Sequence, residues 1–413
     1  MKKIIILFSS MFLFASTNDF QKAFSEYIKT TNKQYINYKK EMNQGFIQYK
    51  NALDKGFKLY KKELSKYWKN PELSTKTTFV EYSKDKKIRK KVDYKNNYIQ
   101  IDVIAKDNII AKKEIAKSLY SLAKEDTKTA FNNNPVLYIV NKELKNKYVN
   151  MVKATPPSNE PIVADMIFKT PPTQKEMIDY TLNKVKTNKI AVSKSKIPNM
   201  NVYSIKIPLP SKAYLQKAKI YKKEVFQKSK QFKIKPQFIY AIIHTESAFN
   251  PMARSYIPAF GLMQIVPNSA GVDAYQMLTG KRKILSPSYL YNANNNILIG
   301  SAYIYKVYYI YLKNIKNPMS RLYCTIAAYN TGVGNVACAF NSTKKDYSGK
   351  TICSRIRGDY DIIKASKKIN KMSSNQVYNY LLKNLRYDEA KNYLKKVSQR
   401  FYIYKKAIDS NAI

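Results

Sequence analysis

The chain has 413 residues, 45% hydrophobic and 25% charged, with 74 Lys+Arg against 28 Asp+Glu and a formal charge of +46. That is enough apolar material to pack about two or three domains, which excludes global disorder. The basic excess fits a polyanionic partner, or a proteome biased toward lysine, tyrosine and asparagine. The single histidine, His244, excludes a two-histidine zinc motif. Cys324, Cys338 and Cys353 fit no CxxC pattern, and neither GxxxxGK[ST] nor GxGxxG occurs. Catalysis must therefore rest on carboxylates, hydroxyls, amides or tyrosines.

Met1-Lys2-Lys3 followed by the apolar run Ile4 to Ala15 reads as a secretory signal over residues 1–17. The expectation is an exported protein of the periplasm or cell envelope, without a cysteine after the run for lipid attachment; an uncleaved anchor is the rival. From Tyr27 the positions Thr31, Tyr35, Tyr38, Met42, Phe46, Tyr49, Leu53, Phe57 and Tyr60 repeat in steps of 4, 4 and 3. That spacing predicts one long amphipathic helix or helical pair, its aromatic stripe packing inward, with sugar-ring binding as the alternative. Thr77 to Tyr82 is strand-like, Ile99, Ile101 and Val103 alternate as a strand, and 110–150 returns to helical spacing. Val202 to Leu209 alternates again and ends at Pro210, where the domain boundary is placed: 18–210 is read as α+β and 211–413 as helical, mainly α overall. Ile297 to Leu312, interrupted by Lys306, reads as a buried helix. In an exported chain Cys338 and Cys353 are the expected pair, closing a short loop, and Cys324 a buried thiol.

Lys235 to Ser247 predicts a helix with Pro236 in its first turn. Ile239, Ile242 and Ile243 share a face with Glu246, so this carboxylate is partly desolvated and suited to act as an acid near neutrality; a helix-end glutamate reaching solvent is the alternative. From Ser247 to Lys345 the only carboxylate is Asp273. Amides and hydroxyls abound instead: Gln264, Asn268, Asn294 to Asn296, Tyr329 and Asn330. Ordinary glycoside hydrolysis uses two carboxylates, so one glutamate among neutral groups points to substrate-assisted chemistry.

Glu246-Ser247-Ala248-Phe249-Asn250-Pro251, Gly261-Leu262-Met263-Gln264-Ile265-Val266-Pro267 and Ala328-Tyr329-Asn330-Thr331-Gly332 together resemble the motifs of the soluble-lytic-transglycosylase, goose-lysozyme-like family. The match is closest to its membrane-bound lytic murein transglycosylase C type. Ala253-Arg254-Ser255, Asn317 to Arg321 and Tyr393 to Val397 add to the resemblance, and Val80-Glu81-Tyr82 with Arg89 to Tyr94 extends it loosely upstream. It implies a lysozyme-like helical catalytic domain behind a smaller α+β domain, acting on peptidoglycan glycan strands without metal or cofactor. Glu246 would be the sole acid and base, leaving a 1,6-anhydromuramyl end. Ser247 would orient the carboxylate or cap its helix. Met263 and Gln264 would line the sugar cleft, Gln264 binding N-acetyl groups or closing its loop. Tyr329 would approach Glu246 or the sugar, Asn330 fix the local backbone, and Tyr393 close the cleft. An anionic membrane surface is a further partner compatible with the charge, and no specific nucleic-acid module is found. The rivals are a muramidase that hydrolyses the same bond and a non-catalytic peptidoglycan-binding scaffold.

Overall fold

A computed structural model describes residue 26 and residues 44–144, 151–152, 157, 159–256 and 258–413. The expected signal, and the aromatic stripe from Tyr27 to Met42, lie outside these residues. The rest of the stripe forms a helix, α1 (44–64), with Phe46, Tyr49, Leu53 and Tyr60 buried and Phe57 packed against the core. These described rings are therefore packing groups.

A five-stranded antiparallel sheet follows: β1 (Thr78–Tyr82), β2 (Ile88–Asp93), β3 (Tyr98–Ala105), β4 (Ile190–Lys194) and β5 (Asn201–Pro208), in the order β1-β2-β3-β5-β4. β3 is central, and Ile99, Ile101 and Val103 are buried as their alternation predicts. β2 carries no apolar alternation, because its sequence Ile-Arg-Lys-Lys-Val-Asp buries charges instead. Arg89 Nε donates to Asp102 Oδ2 at 2.8 Å, and Lys90 pairs with Glu81 and Glu125. Ser204 of β5 also donates to Asp102, at 2.6 Å, so one buried carboxylate ties three strands.

Between β3 and β4 run α2 (Asn108–Lys124), α3 (Thr127–Asn132), α4 (Pro135–Leu144), α5 (Ala164–Ile167) and α6 (Gln174–Thr187). Asp107 and Asp126 cap α2 and α3, and a Thr173/Glu176 capping box starts α6.

After β5 the chain is helical: α7 (Ala213–Ile220), α8 (Lys222–Phe232), α9 (Pro236–Ser247), α10 (Val272–Thr279), α11 (Pro287–Tyr291), α12 (Ala293–Tyr305), α13 (Pro318–Thr331), α14 (Val333–Asn341), α15 (Ile362–Ile369), α16 (Ser374–Asn384) and α17 (Asp388–Asp409). The fold is thus mainly α with one small sheet. The apolar stretch from Ile297 is the buried part of α12, which passes into a π-helical segment, Lys306–Tyr311. Among the described residues no helix is long and apolar enough to cross a membrane. Cys338 and Cys353 form a disulfide with Cα atoms 5.8 Å apart, and Cys324 is a buried free thiol.

The apolar core runs continuously from α1 and the sheet to α17. Polar links reinforce it: Lys217 Nζ, fully buried, donates to Pro161 O and to Asp165. Asn250 Nδ2 donates to Thr75 O at 3.3 Å. This seats the loop before β1 on the turn after α9.

Removing Asp102 takes from the buried Arg89 its Nε acceptor and leaves only Glu72, at 3.0 Å, to balance the charge. Asp102→Ala is expected to lower stability by about 3 kcal/mol, read as a fall in the urea midpoint of the sheet-bearing part with an unchanged slope.

Candidate active site

Helix α9 begins with Pro236 at its first position, where a missing N–H costs nothing. Phe238 to Ile243 are all buried, so the helix is sheathed on every side rather than along one stripe. Its last turn carries His244, Thr245 and Glu246, and α17 packs along it in the reverse sense. Tyr404 Oη shares a 2.9 Å hydrogen bond with His244 Nδ1, and Arg400 Nη1 donates to Thr245 Oγ1 at 2.9 Å. One face of α17 thus fixes the turn that holds Glu246. Burial, with Arg400 adding to it, pushes the His244 imidazole down to about 3, so it is neutral across the physiological range. It stacks on Tyr214 with ring centroids 5.0 Å apart.

Glu246 is part-buried. Burial pushes its carboxyl up to about 7, and the exposed Glu389 carboxylate pushes the same way. The Tyr393 hydroxyl and the Lys76 ammonium pull it down. Tyr393 Oη is buried and makes no hydrogen bond of normal geometry, yet it lies near enough to Glu246 for each to shift the other. Burial and the Glu246 charge hold the Tyr329 and Tyr393 hydroxyls well above the usual phenol range, so both remain neutral donors.

The chain reverses immediately after the acid. Ala248 and Phe249 take left-handed φ values of +51° and +65°. Ser247 Oγ donates to Ile243 O at 3.0 Å and accepts from Phe249 N–H at 3.1 Å. The Ser247 hydroxyl is therefore spent on the helix end, not on the carboxylate.

The Gly261 to Gln264 turn is closed by reciprocal main-chain bonds between Phe260 and Ile265, each 3.1 Å. Gly261, at φ +74°, has no room for a side chain: a Cβ there would meet Asn296 Nδ2 and Leu290 O at 2.3 Å. Asn296, fully buried on α12, organises the turn. Its Oδ1 accepts from Met263 N–H at 2.7 Å, and its Nδ2 donates to Phe260 O and Leu290 O, both at 2.8 Å. The Met263 side chain, expected along the cleft, is turned into the core. It fills the notch left by Gly300, where a Cβ would lie 2.3 Å from its sulfur. What Met263 presents instead is its carbonyl, which accepts from Tyr329 Oη at 2.9 Å. Gln264 Nε2 donates to Gly261 O at 3.0 Å while Oε1 is buried without a partner. Asn330 is half-buried beside Tyr329 at the end of α13.

Glu246, Tyr329, Tyr393 and the Met263 carbonyl are thereby gathered from four separate stretches of sequence. Among the described residues the only other carboxylate that Glu246 feels is Glu389. Among the described residues no three His, Cys, Asp or Glu side chains converge as metal ligands. Sequence reasoning missed the parts played by Asn296, Arg400, Tyr404 and Lys76. The three asparagines, Asn294 to Asn296, that immediately precede the apolar run of α12 are the one signal that could have marked Asn296.

Residues 223–351 match the family model described as the Transglycosylase SLT domain. The chain is 38% identical over 197 residues to the membrane-bound lytic murein transglycosylase C of Klebsiella pneumoniae subsp. pneumoniae, covering 48% of this chain and 49% of that protein. It is 36% identical over 203 residues to the protein of the same name from Salmonella typhimurium, covering 49% and 51%. The chain thus spans about half the length of the curated relatives it matches. The crystal structure of the 70 kDa soluble lytic transglycosylase from Escherichia coli is 16% identical, covering 73% of this chain and 44% of that one at a TM-score of 0.31.

A carboxyl lifted from its ordinary 4.5 to about 7 on folding binds protons more tightly in the native state. Native stability is then lost as pH rises between those values. Glu246→Gln is expected to leave stability little changed at pH 4.5 and to raise it by about 3 kcal/mol at pH 8, checked by paired denaturant titrations at both pH values.

Proposed function

We propose that this chain, which carries a Transglycosylase SLT domain, is an exported peptidoglycan lytic transglycosylase with Glu246 as its single acid and base. The observation that supports this most is the placement of one protonatable carboxyl, without a second carboxylate in contact, among the buried hydroxyls of Tyr329 and Tyr393.

The protonated Glu246 gives its proton to the oxygen linking N-acetylmuramic acid to N-acetylglucosamine, and the bond from that oxygen to the muramyl C1 breaks. Positive charge spreads over C1 and the ring oxygen. The carboxylate then takes the proton of the muramyl C6 hydroxyl as O6 closes onto C1. One bond has broken, one has formed, the proton on Glu246 is restored, and water is not consumed. The intramolecular nucleophile explains why a second carboxylate is dispensable, since tethering supplies a high effective concentration. The acid is half-protonated near pH 7, so both of its roles are accessible at one pH.

The neutral hydroxyls of Tyr329 and Tyr393 supply dipoles that remain uncharged beside the developing cation. Gln264 Oε1, buried and unpartnered, is an acceptor suited to an acetamido N–H of the sugar. The +46 charge favours an acidic wall polymer. Residues 18–210 and 211–413 are proposed as the auxiliary and catalytic parts, in the cell envelope.

Purified sacculi incubated with the protein should release anhydromuropeptides, identified by mass spectrometry, and Glu246→Gln should release none. Reducing muramyl ends would make the protein a muramidase, and binding without products a scaffold. Activity should fall as pH rises through about 7 as the acid form is lost. Tyr393→Phe removes a group that lowers the Glu246 pKa, so it should move that limb to higher pH and slow turnover by about tenfold.

A further inference from the structure

A cavity of about 470 Å³ lies outside the Glu246 site, between α1, the β1–β2 edge, α2, α4 and the loop after α9. Its volume falls within the roughly 300–1,000 Å³ typical of small-ligand sites. None of Glu246, Gln264, Tyr329 and Tyr393 lines it. Its wall includes the apolar Leu53, Phe57, Leu73 and Met252, and its charged residues are Arg254, four lysines and Glu81.

Arg254 is poorly explained by the fold. Its guanidinium lies 3.2 Å from the centroid of the Phe57 ring, and Nε and Nη1 are buried with no hydrogen-bond partner. No carboxylate lies within ion-pair distance of it among the described residues, although Asp54 acts on it from further away. Burial pushes it down to about 10, so it keeps its charge at neutral pH. A buried guanidinium with two idle donors is costly unless an acceptor is brought in. The lining lysines mostly have partners: Lys90 with Glu81 and Glu125, Lys86 with Glu63, and Lys117 with Glu114. Five cations against the single carboxylate of Glu81 leave the lining net positive, and Arg254 is the cation there with buried donors lacking a partner.

Ser118, Ser121, Asn133 and Asn134 also line it, groups that hydrogen-bond amides but have nothing to offer an acyl chain. One strip of chain, residues 74–76, reaches from the cavity wall to the neighbourhood of the acid. Ser74 lines the cavity, Thr75 O accepts from Asn250 Nδ2 at 3.3 Å and from Arg254 N–H at 3.4 Å, and the Lys76 charge is felt by Glu246.

We propose that this cavity binds a peptide carboxylate, the free C-terminus of the peptide arm carried by the glycan substrate, with Arg254 as its bidentate partner. The assignment rests on the peptidoglycan reading above. Apolar residues of the arm lie on Phe57 and Met252, its amides meet the serines and asparagines, and Arg254 gains the acceptor it lacks. Arg254 is thus a specificity residue for the substituent, not a catalytic one.

Calorimetry with the full chain carrying Glu246→Gln tests this without turnover. The ligand is the free wall peptide cleaved from sacculi by an amidase. Saturable binding is expected, weakened at least tenfold by Arg254→Met and by amidating the peptide's C-terminus, and partly kept in Arg254→Lys. The amidated peptide tests the carboxylate without any change to the fold. Equal binding of the acid and amide forms, no binding of either, or displacement of the peptide by myristate would each overturn the assignment. Glycan cleavage is read separately, as the KM of the unmutated enzyme for peptide-bearing against peptide-free strands. A lower KM for the former is expected, and equal values would overturn this inference while leaving the transglycosylase reading intact. Absent products would sink the latter alone, since peptide binding does not depend on them.

Discussion

The protein depends on holding one carboxyl partly out of water at the end of a helix whose middle is buried on every side. Raising the Glu246 pKa from 4.5 to about 7 corresponds to about 3 kcal/mol of native-state destabilisation at alkaline pH. The surrounding contacts must offset that cost, and they are placed where they also fix geometry. Arg400 and Tyr404 hold the residues just before the acid, and Tyr393 on the same helix faces the acid itself. α17 is therefore support and site wall together.

The second constraint is backbone strain. Ala248, Phe249 and Gln264 sit in the left-handed region without being glycine, each at a cost of order 1 kcal/mol. They persist because neighbours over-determine them: Ser247 bonds both sides of the first reversal, and Asn296 ties two main-chain groups of the second to Leu290 O. Met263 illustrates the result. Its side chain anchors the turn in the notch at Gly300, which frees its carbonyl to hold the Tyr329 hydroxyl in place. Chemistry and packing share the same residues.

Much of this was legible in sequence, for physical reasons. The helix of Glu246, the alternating strands around Ile101 and Val202, and the inward stripe of α1 all announce themselves through periodicity. The scarcity of carboxylates between Ser247 and Lys345, where Asp273 stands alone, pointed to neutral groups around Glu246. Strand β2 was not legible, because a strand stabilised by buried ion pairs shows no hydrophobic alternation. The Met263 side chain was misplaced, since a motif tells which residues cluster but not which face inward. Asn296, Arg400 and Tyr404 escaped because their importance lies in partners far away along the chain. The choice between the two uses of the Ser247 hydroxyl needed coordinates for the same reason.

The end of α9 carries one more consequence. A helix gathers partial negative charge at its C-terminus, where the last carbonyls lack partners, and Glu246 sits in that turn. The helix field therefore opposes ionisation of the acid. Ala248 N–H caps His244 O, and Thr245 Oγ1 and Ser247 Oγ give Ala241 O and Ile243 O a second donor in the same last turns, each quenching part of that field. These caps act as a vernier on the acid's strength: lengthening or deleting one deepens the negative potential and makes Glu246 a weaker acid, without touching the carboxyl or the substrate.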